Sequence, residues 1–245
     1  MKCGTGRVHI GTSGWHYQHW KGPFYPPDLP DRQLLAAYSR RFDSVEINNS
    51  FYRLPADAVF EEWRETVPEG FVFAVKASRY ITHMKKLKDP EQSLARFLER
   101  AQLLGERLGP ILFQLPPRWH LDLERLRTFL EKLPGAHRYA FEFRDDTWID
   151  ARTLTLLADA GAAFCIFDLD GRVTPREVTA DFVYIRLHGP DGPYLGEYPV
   201  DTLAGWAEAI AGWRNEGRDV YCYFDNDEAG YAPRDALRLA AMVGT

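Results

Sequence analysis

Eight short runs rich in β-branched and aromatic residues recur along this chain, and nearly all are separated by stretches with helical apolar spacing. The runs are Val8–Thr12, Ser44–Asn48, Phe71–Lys76, Pro110–Gln114, Arg138–Phe143, Ala163–Asp168, Phe182–Leu187 and Val220–Phe224. Helices are predicted near Asp31–Arg40, Ala58–Thr66, Pro90–Leu104, Asp122–Leu133, Ala151–Ala160, Thr202–Glu216 and Ala232–Met242. For the third of these, Asp89 is placed as the cap and Pro90 at the first helical position. Only a short, poorly helical connection, DGRVTPREVTA, joins the sixth and seventh runs. This rhythm in 245 residues predicts an α/β fold, a (β/α)8 TIM-type barrel in one domain over 1–245. A doubly wound open sheet is the rival. No linker or composition break argues for a second domain.

In such a barrel the functional site lies at the C-terminal ends of the strands. Neighbouring side chains in a strand point to opposite faces. In FDSVEINNSFYRLP, Glu46 sits between Val45 and Ile47, so packing those two against helices aims the carboxylate inward. A charge aimed inward is costly unless it is paired. Alternation then predicts the inner faces: Glu46, Asn48 and Ser50; Val72, Ala74 and Lys76; Leu112 and Gln114; Ala140, Glu142 and Arg144; Phe164, Ile166 and Asp168; Tyr184, Arg186 and His188; Tyr221, Tyr223 and Asp225. Thr12 and Ser13 stand at the matching level of the first strand. Each face is small or apolar low down and ionisable or amide-bearing at the top. A self-neutralising rim network is the bland reading. Buried ion networks rarely stabilise more than apolar packing would, which favours a ligand site.

The segments GTSGWHYQHWKGPFYP, FDSVEINNSFYRLP, FAVKASRYITHMKKLKDP, LGPILFQLPPRW, YAFEFRDDTW, VYIRLHGP and VYCYFDND, in this order, resemble the YecE-like family, domain of unknown function 72. The resemblance implies a TIM-type barrel and implies no particular reaction. The candidate site therefore rests on strand geometry.

The expected chemistry is that of an enzyme of hydrolase or lyase type acting on a small anionic substrate that bears a phosphate or a sugar. Glu46 and Glu142 are the candidate acid–base pair, assisted by His188 and Asp225. Lys76, Arg144 and Arg186 are the candidate anion donors, with Asn48, Gln114 and Asp168 lining the site. Trp15 and Tyr52 are the best aromatic faces for stacking on a substrate. Lys76 is expected to be salt-bridged; a desolvated Lys76 would instead suit a Schiff base. A divalent metal on Glu46, Glu142, Asp168, His188 and Asp225 is conceivable, although the neighbouring bases compete for those carboxylates. The histidines of His16-x-x-His19 read as packing or surface residues.

Two alternatives stay open: a nucleic-acid-binding or phosphodiester-processing protein, and a non-catalytic metabolite-binding protein. Net charge is −5, so no global basic field favours a polyanion. Arg79, His83, Lys85, Lys86 and Lys88 form a local basic run, read first as a solvated face. Cys3, Cys165 and Cys222 have no metal-type spacing, and the latter two read as small core residues. No apolar run approaches spanning length and no secretory signal is readable, so a cytoplasmic protein without membrane contact is expected. The oligomeric state is not readable.

Overall fold

In a computed structural model, which describes residues 4–244, eight parallel strands curl into a barrel inside a ring of helices. In chain order the strands are β1 (Val8–Thr12), β2 (Ser44–Ile47), β3 (Val72–Lys76), β4 (Leu108–Gln114), β5 (Tyr139–Glu142), β6 (Ala163–Leu169), a two-residue β7 (Arg172–Val173), β8 (Phe182–Leu187) and β9 (Asp219–Phe224). The helices are α1 (Leu34–Tyr38), α2 (Asn49–Tyr52), α3 (Asp57–Thr66), α4 (Glu91–Ala101), α5 (Leu123–Leu130), α6 (Ala151–Asp159), α7 (Val200–Asn215) and α8 (Tyr231–Val243). Around the barrel the order is β1-β9-β8-β6-β5-β4-β3-β2, and β7 pairs only with β6. Cys3 lies outside the described residues; Cys165 and Cys222 are fully buried.

The helices face the strands with apolar stripes. In α4 the buried residues are Leu94, Phe97, Leu98 and Ala101, spaced as one helical face requires. Two apolar regions result, one between strands and helices and one in the lumen. The lumen holds Ala74, Leu112, Ala140, Ala163, Cys165, Phe182, Tyr184, Tyr221 and Tyr223.

Three expectations are corrected and a fourth is sharpened. β2 stops at Ile47, because Asn48 turns into the helical region at φ −101°, ψ −22° and α2 begins there. Asn48 and Ser50 therefore leave the inner face, and Ser50 Oγ donates to the Lys76 carbonyl at 2.7 Å. β6 faces the opposite way from the expectation. Ala163 and Cys165 point into the lumen, while Phe164 and Ile166 pack on the helix side. Both faces of AFCIFD are apolar, so alternation carries no sign there; small side chains go where Tyr184 already fills the lumen. The connection after β6 is non-helical, as expected, and opens with a hairpin. Asp170 and Gly171 have φ of 55° and 71°, a two-residue turn that returns the chain as β7. Finally, Asp89 does not cap α4. Its φ is 40°, and the Pro90 carbonyl accepts the first helical bond from Leu94 at 2.7 Å, which makes Pro90 the cap.

No ladder joins β1 to β2. The seam is closed by one bridge, Ser13 to Glu46, where the Gly14 N–H donates to the Glu46 carbonyl at 2.8 Å. Below it the Tyr38 hydroxyl accepts from the Thr12 N–H at 2.9 Å and donates to the Ser44 carbonyl at 3.1 Å. Gly11 is required here: a Cβ would lie 2.2 Å from the Ser44 carbonyl oxygen.

Candidate functional site at the barrel mouth

Arg186, on β8, stands in the centre of the mouth and is fully buried. Its Nη2 donates to Glu46 Oε1 at 2.8 Å and to Asp225 Oδ2 at 3.1 Å. Its Nη1 donates to Glu142 Oε2 at 2.9 Å and faces His188 Nε2 at 3.3 Å, and its Nε reaches Glu46 Oε1 at 3.2 Å. The guanidinium's five N–H groups are thus all directed at protein acceptors, and none is left for a ligand. The expectation that Arg186 grips a substrate anion yields to this geometry. The cation at the centre of the carboxylates is a guanidinium. Among the described residues no group of three or more His, Cys, Asp or Glu side chains takes a metal-holding arrangement.

Glu46 and Glu142 are both fully buried and fully engaged. Glu46 also accepts from the Ser13 hydroxyl at 2.6 Å and the Tyr184 hydroxyl at 2.7 Å. Glu142 accepts from Arg144 Nε, and Cys165 Sγ lies 3.9 Å from its Oε2. Burial alone would raise the Glu142 pKa. Arg144 and Arg186 outweigh it and hold the carboxyl well below its ordinary range. A carboxylate held that far down has no proton to donate at neutral pH. Both of its oxygens are taken up by arginine donors.

His188 is buried among cations. Burial and then Arg186 pull its pKa down to about 4, so the ring is neutral at pH 7. Its Nε2 lies 3.0 Å from Arg144 Nη2 and 3.3 Å from Arg186 Nη1. Guanidiniums only donate, so Nε2 accepts and the ring proton is assigned to Nδ1. Nδ1 lies 3.1 Å from Asp225 Oδ2 but out of line for a hydrogen bond, so the neutral ring meets that carboxylate through the dipole of its N–H. Asp225 is held below its ordinary pKa: burial raises it, and His188 and Arg186 more than offset that.

Lys76, at the end of β3, departs from the salt-bridged expectation. Arg144 and Arg186 both meet carboxylates, whereas among the described residues no carboxylate comes within ion-pairing distance of Lys76. Its Nζ instead lies 4.4 Å from the centre of the Phe51 ring. Burial, then Arg186, bring its pKa down to about 8, against the opposing pull of Glu142, Glu46 and Asp225. Gln114, beside Glu142 in register, completes the mouth, with its Nε2 donating to the Leu115 carbonyl at 3.1 Å.

Four predicted site residues lie elsewhere. Asp168 follows the reversed face of β6 and turns to the Tyr198 hydroxyl behind the barrel, with burial raising its pKa. Asn48, Trp15 and Tyr52 line a separate cavity of ≈ 460 Å³ beside α1 and α3. Trp15 is 7% exposed and packs edge-on against Trp63 at 5.1 Å, leaving little ring to stack on a ligand. Tyr52 is exposed at the outer side of that cavity.

Other residues join the mouth from loops, where no alternation marks them. His83 lies on a π-helical turn, Tyr80–Met84, and sets its ring at 82° to that of Phe51, with the centroids 5.0 Å apart. Partial burial, then Lys76, Arg79 and Arg144, draw its pKa down to about 4. Asp227 contacts His19, and burial followed by Asp225 pushes its carboxyl up to about 6. Tyr194 sets its ring at 81° to His188, 5.7 Å away. The Arg144 guanidinium rests 4.9 Å over Phe167.

Among the described residues no helix is long and apolar enough to cross a membrane. The model of a family described as "Protein of unknown function DUF72" matches residues 9–245. The UPF0759 protein YunF of Bacillus subtilis is 26% identical over 96% of this chain and 94% of its own. The UPF0759 protein YecE of Escherichia coli is 32% identical over 56% of this chain and 48% of its own. A crystal structure of a DUF72 family protein (TM1631) from Thermotoga maritima superposes with a TM-score of 0.89 at 28% identity, covering 98% of this chain and all of that one.

Proposed function

The chain belongs to the DUF72 family, and from that premise we propose that the barrel mouth is the active site of an enzyme, of hydrolase or lyase type, acting on a small anionic substrate. One observation carries this reading. Lys76, Arg79 and Arg144 converge electrostatically on His83, and together they outweigh the opposing Glu142. The upper layer of the mouth is therefore positive in a chain whose net charge is −5. Below it, one guanidinium faces three carboxylates. Such a gradient draws an anion to the rim and stops it there.

Arg144 is the donor best placed to receive it. Its Nε serves Glu142 and its Nη2 faces His188, while its Nη1 has no protein partner among the described residues. A planar guanidinium suits a carboxylate or phosphate. The groups suited to move protons near neutral pH are the neutral His83 and Asp227, with its pKa of about 6. Glu46 and Glu142 act through Arg186 and Arg144, as the frame that holds the charges in place.

Titration calorimetry at low salt with glycerol 3-phosphate and with glycerol tests the reading. The phosphate ester is expected to bind and the polyol not to, with Arg144→Gln weakening the ester by roughly tenfold, about 1.4 kcal/mol. Equal behaviour of the two compounds, or an Arg144→Gln protein that binds as well as the wild type, overturns it.

A further inference from the structure

Lys76 is fixed at its base and free at its tip. Its carbonyl accepts from the Ser50 hydroxyl, and it pairs in register with Leu112. The residue is 9% exposed, and its ammonium lies over Phe51. His83 stands at 82° to that same ring, 5.0 Å away, and because the Thr82 hydroxyl donates to the Ser78 carbonyl, the ring proton of His83 is assigned to Nδ1, which donates to Thr82 Oγ1 at 2.9 Å and leaves the Nε2 lone pair open among the described residues. An amine and a neutral imidazole thus flank one phenyl ring at the positive rim of the mouth. Anion binding alone leaves this pairing idle.

Resting on the anion site at that rim, we propose that Lys76 adds to the carbonyl carbon of an anionic aldehyde or ketone and holds it as a Schiff base, with His83 carrying the proton. The lowered pKa of Lys76 supplies a neutral amine at mildly alkaline pH. Addition forms the C–N bond and sends the carbonyl π pair to oxygen. His83 Nε2 takes the proton shed by nitrogen and returns it to that oxygen. The nitrogen lone pair then expels the hydroxyl, which leaves as water with one further proton from solvent. What remains is an iminium cation, with no change of oxidation state. The single positive charge of Arg186 faces the three carboxylates of Glu46, Glu142 and Asp225, and the field of those acids, which pulls against the lowering of the Lys76 pKa, favours the iminium as well. The iminium is an electron sink for the bond broken next, which makes lyase chemistry the branch selected within the broader reading.

The test uses the full chain, dihydroxyacetone phosphate and sodium cyanoborohydride at mildly alkaline pH, with tandem mass spectrometry of the reduced adduct. Glycerol 3-phosphate, which has the same phosphate and no carbonyl, serves as binding control and competitor. The expected result is one adduct per chain at Lys76, suppressed by glycerol 3-phosphate. It should fall at least tenfold in Lys76→Arg, whose melting transition shows that it is folded. If glycerol 3-phosphate binds but the adduct is absent, or is spread over exposed lysines and unchanged in Lys76→Arg, the Schiff base is overturned and the anion site stands. If glycerol 3-phosphate does not bind and no adduct forms, the anion site itself falls, and the Schiff base with it.

Discussion

Each end of the barrel carries an arginine that reaches across to acids on other strands. At the N-terminal end, Arg138 bonds Asp219 at 2.7 Å and the Tyr221 hydroxyl at 3.0 Å, with Asp181 at 3.6 Å. Its side chain is 35% exposed. At the C-terminal end, Arg186 meets three carboxylates with 1% of its side chain exposed. The residue types are alike, and water makes the difference. Solvent screens the lower pair, so it closes the rim at little cost and contributes little. The upper network is dry, so every partner depends on the others. One end is a seal. The other keeps charges at full strength and holds one of them, Lys76, beyond ion-pairing distance of any described carboxylate.

Four experiments press on this contrast. Arg186→Met should destabilise most, by about 3–5 kcal/mol in urea unfolding, because it strands buried carboxylates; a loss near 1 kcal/mol would mean that water reaches the mouth. The next effect is acid sensitivity. The folded pKa of His188 is about 4 against 6.5, so the unfolded chain binds more protons between those values. Stability should therefore be full above pH 6.5 and fall by about 3 kcal/mol down to pH 4. His188→Gln should remove that limb from the stability-versus-pH curve. Glu142 and Asp225, whose pKa values are lowered, add their own losses further into acid.

Lys76 gives a gain of similar size. Its pKa falls from 10.5 to about 8, so the buried ammonium costs about 3 kcal/mol below pH 8, a penalty that fades as pH rises to 10.5. Lys76→Met should stabilise the protein by up to that amount at pH 7, read as a raised melting temperature, and by little at pH 10.5. Destabilisation at pH 7 would show that Lys76 has a protein anion after all. The smallest effect belongs to the lower rim: Arg138→Met should cost about 1 kcal/mol or less. A larger loss would erase the distinction between the two ends.

The sequence placed the centre of the mouth correctly where one strand face was plainly bulky and apolar. Val45 and Ile47 fixed Glu46, and the alternation of Tyr184, Arg186 and His188 held because Val183, Ile185 and Leu187 all pack outward. It failed where that contrast was missing. AFCIFD is apolar on both faces, so its register could be read one residue off, and Asp168 went with it. It failed again where a strand ended early, because Asn48, Asn49 and Ser50, residues that favour turns and caps, were read as a continuing strand. Asp170-Gly171 did carry a legible hairpin signal. His83 and Asp227 did not, because loop residues are positioned by tertiary packing rather than by a period.

The seam between β1 and β2 has a mechanical consequence. Elsewhere the girth of the barrel is set by backbone ladders of fixed spacing. Here it is set by the reach of one phenol, that of Tyr38, and by a single bridge at Ser13. Glu46 stands on the lip of that slit and holds Arg186. The width of the opening and the grip on its central guanidinium are therefore a single adjustable dimension.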